Sequence, residues 1–145
     1  MAKDPLEARN AAGEYFKSGY NCSEAIFLAF RDWLNLDVPR EMVRMTTGLG
    51  GGLGHAGCMC GALTGSSLVL GLLKGRDDVG QDRHAAYDLT RGFHDRFEQS
   101  FNYTCCRNLN PHPFDTKEHL RNCIKITGNT AKLLAEYLNE RGLAD

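Results

Sequence analysis

The sequence lacks several features that would assign it at once to a class of function. No apolar run is long enough to span a membrane, since the best candidate, "ALTGSSLVLGLL", is short and is interrupted by Gly65 and Gly71. The N-terminus has no apolar segment of the kind found in signal peptides. There is no basic block, and 17 basic against 18 acidic residues leave a formal charge of −1. We therefore expect a cytoplasmic protein with no membrane span and no nucleic-acid partner.

Strand-like alternation is also absent, and helical periodicity takes its place. Asp4 before Pro5, and Asn21 three residues before Glu24, are typical of helix starts. Apolar spacing and further caps, including Asp77 or Asp78, predict the following helices: 5–19, 21–35, 39–48, 60–73, 78–101 and 124–138. The prediction is one domain over residues 1–145, an all-α bundle of five or six helices with a glycine-rich loop.

The glycine-rich stretch "GGGLGHAGCMCGALTG", residues 50–65, suggests two kinds of phosphate-binding loop, and the surrounding sequence excludes both. Gly52, Gly54 and Gly57 match the dinucleotide-binding pattern G-x-G-x-x-G. That pattern requires a preceding strand, whereas "PREMVRMTTG" is periodic like a helix. No Gly-Lys-Ser/Thr follows, which excludes a P-loop. Glycine-rich backbone can still offer N–H groups to an anion, including a thiolate or sulfide.

The chain has six cysteines, and most of them follow a predicted helix start. Cys22 follows the Asn21 cap, Cys60 opens the fourth predicted helix, and Cys123 follows Asn122. Helix N-termini stabilise thiolates through their unpaired N–H groups. These cysteines could therefore meet at one end of the bundle. The helix that Cys60 opens also has a face of small residues, suited to close contact with a helix of the same chain or of a second copy, as in a homodimer.

The cysteine spacing matches none of the common motifs. There is no pair of C-x-x-C knuckles for zinc, no bacterial ferredoxin spacing and no C-x-x-C-H for haem. The C-x-C of Cys58 and Cys60 lacks the thioredoxin separation. In a reducing compartment, clustered cysteines point to metal binding or redox chemistry more than to structural disulfides.

Four segments in order resemble the redox-active protein family named for its cysteine pattern C_GCAxxG_C_C. They are "YNCSEAIFLAF", "GLGGGLGHAGCMCGALTGSSLVLGL", "FEQSFNYTCCRNL" and "NCIKIT". The most specific is "CGALTG", residues 60–65, which is similar to the family's C-G-A-x-x-G. The family's four cysteines would fall on Cys22, Cys60, Cys106 and Cys123. Cys106 is preferred to Cys105 because "CRNL" begins at Cys106.

The resemblance implies redox chemistry without naming a substrate. A similar segment occurs in split-Soret cytochrome c, whose haem portion this chain lacks. The leading hypothesis is an iron–sulfur cluster, [2Fe–2S], ligated by those four cysteines. Gly54, Gly57 and Gly61 would lend N–H groups to its sulfurs. The function would be electron transfer or redox sensing with an unidentified partner protein.

Two other hypotheses stay open, and with them whether the chain is an enzyme. One is metal-free thiol–disulfide chemistry, in which Cys60 attacks and Cys58, Cys105 or Cys22 resolves. Under this thiol–disulfide hypothesis the chain would be an oxidoreductase. Under the cluster hypothesis it would be an electron-transfer accessory protein. The other is a structural zinc site, in which His55 replaces a cysteine.

Overall fold

The described part of the chain, residues 2–145 of a computed structural model, is all-α and contains no strand. The all-α prediction is confirmed, but five or six helices is too few. Two of the α-helices, α3 and α6, are single turns of four residues that periodicity cannot reveal. The elements are α1 (Pro5–Lys17), α2 (Cys22–Trp33), a 3-10 helix (Arg40–Leu49), α3 (Gly50–Leu53), α4 (Gly61–Lys74), α5 (His84–Phe101), α6 (Cys106–Leu109) and α7 (Lys117–Glu140).

The first two helices begin where their capping residues predict. The Asp4 carboxylate accepts a hydrogen bond from the Leu6 N–H at the start of α1, with Pro5 as the first helical residue. At the start of α2, the Asn21 side chain accepts from the Glu24 N–H, and the Glu24 carboxylate accepts from the Asn21 N–H. This capping box sets the first turn of α2, and with it the position of Cys22.

The hydrophobic core lies between α1, α2, α4, α5 and α7, and its members include Phe30, Leu70 and Leu134. Helix α4 approaches α2 closely. A Cβ on Gly65 would lie 3.1 Å from the Cα of Ser23. The small face of α4 therefore packs against α2 of the same chain, and the pairing of α2 with α4 accounts for that face without a second copy.

Two helix starts differ from the sequence prediction. The fifth helix begins at His84 rather than after Asp77 or Asp78, because the Gln81 side chain accepts from the Asp77 N–H and holds the segment in turns. The Asp82 carboxylate accepts from the His84 N–H at the true start.

The last helix starts earlier than predicted. Its first residue is Lys117, and the Thr116 hydroxyl accepts from the His119 N–H as the cap. Cys123 consequently lies in the second turn of α7 and not at a helix start. The thiolate stabilisation expected there from a helix N-terminus does not apply to this cysteine.

The glycine stretch folds back on itself and is tied to residues 104–107. It begins with the single turn α3, inside which Gly51 and Gly52 have left-handed φ of 67° and 68°. The Cys58 N–H then donates to the Gly52 carbonyl at 2.9 Å. Met59 next pairs with Cys105 in an isolated antiparallel bridge. Gly57, Cys58 and Cys60 are therefore tied by backbone hydrogen bonds to a segment far along the chain.

Within residues 2–145, no helix combines the length and apolar character that crossing a membrane requires.

Candidate functional site

Four of the six cysteines converge at one end of the bundle. Cys22 is the first residue of α2, Cys60 directly precedes α4, and Cys106 is the first residue of α6. Cys123 reaches them from the side of α7. Cys22 lies at the centre, since its sulfur influences the pKa of each of the other three. All of these cysteines are free thiols.

Cys22 and Cys123 are neighbours, and each changes the pKa of the other. The Cys123 thiol beside the Cys22 sulfur lowers the pKa of Cys22, and the same contact raises the pKa of Cys123. Burial opposes the lowering, because Cys22 is only 5% exposed. Backbone N–H groups at Gly51 and Ser23 also lower the pKa of Cys22. Of the four cysteines, Cys22 is therefore the one whose surroundings favour the thiolate.

Cys60 and Cys106 are held as neutral thiols. Burial, followed by the charge of Cys22, raises the pKa of Cys60 to about 12. Burial likewise raises the pKa of Cys106, with the Cys22 charge as the next cause. Four thiols in one buried site cannot all ionise, because like charges repel strongly where water is excluded. A metal that binds all four must displace their protons.

Glycines leave room for the sulfurs. A Cβ on Gly61 would lie 2.5 Å from the Cys22 sulfur and 2.9 Å from the Leu49 carbonyl oxygen. A Cβ on Gly52 would lie 2.8 Å from the Cβ of Cys106 and 2.6 Å from backbone atoms of Cys58. Neither position accepts a side chain without displacing a cysteine or the backbone beside it.

The three glycines named from the sequence have different positions. Gly61 contacts the Cys22 sulfur, as described. Gly54 lies in the wall of a cavity, and its N–H donates to the Gly50 carbonyl. The N–H of Gly57 donates to the Gly51 carbonyl. Both N–H groups are therefore used in backbone hydrogen bonds here, and their donation to the sulfurs of a cluster stays a prediction.

Sequence reasoning missed two groups beside the cysteines. Gly51 donates its N–H to the Cys22 sulfur, but nothing in a run of three glycines distinguishes it from its neighbours. Thr127 is fully buried one helical turn beyond Cys123, and its hydroxyl oxygen has no hydrogen-bond partner among residues 2–145. Its proximity lowers the pKa of Cys123, against the larger raising effects of Cys22 and burial. The i, i+4 spacing on α7 could have identified Thr127.

No group of three or more His, Cys, Asp or Glu side chains in residues 2–145 is arranged to hold a single metal ion. His55, the alternative zinc ligand, stacks on Phe114 with ring centroids 4.1 Å apart and planes 9° apart. Phe114 in turn packs against His119. The position of His55 is thus that of a stacked aromatic ring joining the glycine stretch to the segment before α7.

The other two cysteines are Cys58 and Cys105. Cys58 is exposed, and the Arg107 guanidinium lies 3.6 Å from its sulfur while donating from Nε to the Gly57 carbonyl. Cys105 is half-buried and precedes α6. Of the six cysteines, Cys22, Cys60 and Cys106 are thus buried, Cys105 and Cys123 are half-buried, and Cys58 is exposed.

A cavity of about 830 Å³ borders Cys22 and Cys123. The two cysteines form part of its wall, together with the rings of Phe16, Tyr20 and His55. Its volume is within the range of small-molecule sites in proteins. Cys60 and Cys106 do not line it, so the cavity adjoins the four-cysteine site on one side only.

The difference in burial predicts an order of alkylation in the metal-free reduced protein. Brief treatment with iodoacetamide near pH 7.5 should label Cys58 first, because it is exposed. Cys60 should stay unlabelled, because it is 5% exposed and its pKa is about 12. Peptide mass spectrometry measures the order, with urea-unfolded protein as the control in which the cysteines label alike. Labelling of Cys60 as fast as Cys58 would contradict the packing.

Comparison with known proteins agrees with this arrangement. The model of the C_GCAxxG_C_C family, described as "Putative redox-active protein", matches residues 20–137, which include all four converging cysteines. An uncharacterized protein of Archaeoglobus fulgidus is 25% identical to the chain over 145 aligned positions, covering 93% of this chain and 95% of that protein. No solved structure gives a significant match.

Proposed function

The chain belongs to the C_GCAxxG_C_C family, and on that premise we propose that it is a redox protein carrying an iron–sulfur cluster, [2Fe–2S]. The ligands are Cys22, Cys60, Cys106 and Cys123. The observation that carries the proposal is the convergence of these four thiols, out of six, at one end of the bundle. Its role is electron transfer or redox sensing with a partner protein.

The cluster and the structural zinc site would use the four thiols differently. A tetrahedral zinc site needs its ligands around one point, and the described residues contain no such group. A [2Fe–2S] cluster is saturated by four thiolates, two on each iron. Metal analysis, described below, decides between the two.

The surrounding residues are those that a charged sulfur centre requires. The N–H groups of Gly51 and Ser23 point at the Cys22 sulfur, and the buried hydroxyl of Thr127 has no partner of its own. Such donors stabilise negative charge on sulfur and raise the reduction potential of the site. The missing side chains of Gly52 and Gly61 keep the space beside Cys22 and Cys106 free. A bound cluster would supply one-electron transfer there.

The first test is anaerobic purification followed by analysis of iron, acid-labile sulfide and zinc, with a visible spectrum. We expect iron and sulfide in equal amounts, about two of each per chain, and a brown chromophore. Zinc without a visible chromophore would show a structural zinc site and refute the cluster. Absence of iron, sulfide and zinc would refute both metal sites and favour the thiol chemistry described next.

A second candidate function is thiol–disulfide exchange, and the neighbouring pair of Cys22 and Cys123 favours it. The lowered pKa of Cys22 suits an attacking thiolate, and the residue lines a cavity. Cys60, which we named as the attacking thiol from the sequence, is unsuited to that role because burial raises its pKa to about 12. The attacking residue of this alternative is therefore Cys22.

In that reaction the Cys22 thiolate attacks a substrate disulfide, forms a mixed disulfide and releases one substrate thiolate. Cys123 then loses its proton, attacks Cys22 and releases the second thiolate, leaving a Cys22–Cys123 disulfide. The substrate gains two electrons and the protein loses two. Incubation of metal-free protein with oxidised glutathione, followed by peptide mapping, tests it. Failure to form this disulfide would remove the candidate.

A further inference from the structure

The cavity beside Cys22 and Cys123 has walls suited to a flat apolar molecule. The rings of Phe16, Tyr20 and His55 line it, and Leu120 and Ile124 complete its apolar surface. The rings are held in place from outside the cavity. Phe114 stacks on His55, and the Arg40 guanidinium donates to the Tyr20 hydroxyl at 2.7 Å. An aromatic body could therefore pack between rings that are already fixed.

The charged groups of the cavity favour an anion. Lys17 and Arg121 line it, against a single carboxylate, Asp115. Arg121 forms no ion pair within residues 2–145. Lys17 pairs with Glu14 at 3.6 Å, but both side chains are mostly exposed, so this pair is weak. The two cations are therefore available to a ligand.

A second cleft of about 400 Å³ extends the positive surface. Lys17 and Ile124 line both spaces, so the cleft adjoins the cavity. Arg9 and Lys125 line the cleft, with Glu14 as its carboxylate. An anionic group bound near Lys17 thus lies next to further basic side chains, while the apolar part of the molecule faces the cysteines.

We propose that this cavity binds a small organic anion with a flat aromatic body, held by Lys17 and Arg121 with its rings beside Cys22 and Cys123. Beside the wall of the cysteine site, the reduced form of such a molecule would pass one electron to the site, so that the molecule is oxidised by one electron as the site is reduced by one. The electron-transfer role rests on the proposed function. Binding of the organic anion does not depend on a cluster, because the cavity walls are formed by the chain alone.

Anthraquinone-2-sulfonate is a suitable probe, because fused rings on both sides of its quinone leave no position for thiol addition. Its neutral analogue is 2-(hydroxymethyl)anthraquinone. Isothermal titration calorimetry on the protein as purified should show saturable binding of the sulfonate. Arg121→Gln should weaken binding of the sulfonate about tenfold by removing a charged partner and leave binding of the neutral analogue nearly unchanged. Arg44→Gln, exposed on the 3-10 helix and outside the cavity, is the matched control.

Filling the cavity tests its location. Leu120 and Leu72 are 47% and 46% exposed, and only Leu120 lines the cavity. Leu120→Trp should abolish binding of both probes, whereas Leu72→Trp should not affect it. No saturable binding, equal loss in both tryptophan variants, or insensitivity of the sulfonate to Arg121→Gln would each overturn the proposal. Metal and sulfide analysis of the same sample reports separately on the cluster, so failure of one conclusion is distinguishable from failure of the other.

Discussion

Serine at any one of Cys22, Cys60, Cys106 or Cys123 should remove most of the iron and the visible chromophore from anaerobically purified protein. Each of these sulfurs is one of four ligands, and a serine oxygen is a poor substitute for a thiolate on iron. We expect iron to fall to about a tenth of the unsubstituted content or less, since each variant loses a quarter of the ligand set. Iron analysis and the visible spectrum are the measurements.

The remaining two cysteines provide matched controls. Cys58→Ser and Cys105→Ser change the same atom at positions outside the proposed ligand set, and both variants should keep their iron and colour. Circular dichroism should show that all six variants remain helical, so that iron loss is not a consequence of unfolding. Full colour in all four single variants, or loss of colour in either control, would refute the ligand assignment.

Alanine at Gly61 should destabilise the fold and disturb the cysteine site together. The added Cβ would lie 2.5 Å from the Cys22 sulfur and 2.9 Å from the Leu49 carbonyl oxygen, so the sulfur or the backbone has to move. Overpacking of this kind lowers the free energy of unfolding by about 1–3 kcal/mol. Denaturant unfolding measures the stability. The same variant should also lose iron, because the displaced Cys22 is a proposed ligand.

Gly71 is the control on the same helix. It belongs to α4, and a Cβ placed there would meet no atom within 4 Å. Gly71→Ala should raise stability by about 0.5–1 kcal/mol, because alanine loses less backbone entropy in a helix, and it should leave the iron content unchanged. If Gly61→Ala were as stable as the unsubstituted protein and retained its iron, the close contact of Gly61 with Cys22 would be irrelevant to the site.

The amino-acid sequence was sufficient for the parts of the site that depend on local chemistry. The capping box at Asn21 and Glu24 predicts the start of α2, and so it places Cys22 in the first turn. The small side chains around Gly65 predict a close helix contact, which α2 makes. The family pattern also selects Cys106 rather than Cys105, and Cys106 is the more buried of the two.

Other parts depend on contacts that the local sequence does not encode. The sequence suggests Gly54 and Gly57 as N–H donors to sulfur, but in the fold their N–H groups donate to backbone carbonyls. The glycine N–H that lowers the pKa of Cys22 is that of Gly51. A hydrogen bond consumes a donor, and only the folded backbone shows which donors remain.

The sequence by itself determined the helical class, the capped starts of α1 and α2, and the presence of a four-cysteine family pattern, because caps, periodicity and motifs are properties of neighbouring residues. Only the tertiary structure decided which cysteine is most disposed to ionise, since the pKa of Cys22 is lowered chiefly by a thiol on α7 and also by an N–H on α3. It also decided that Cys22 and Cys123 adjoin a cavity with basic groups at its edge. The pKa of a buried group and the shape of a cavity are set by distant segments packed together, and their effects appear only when the chain folds.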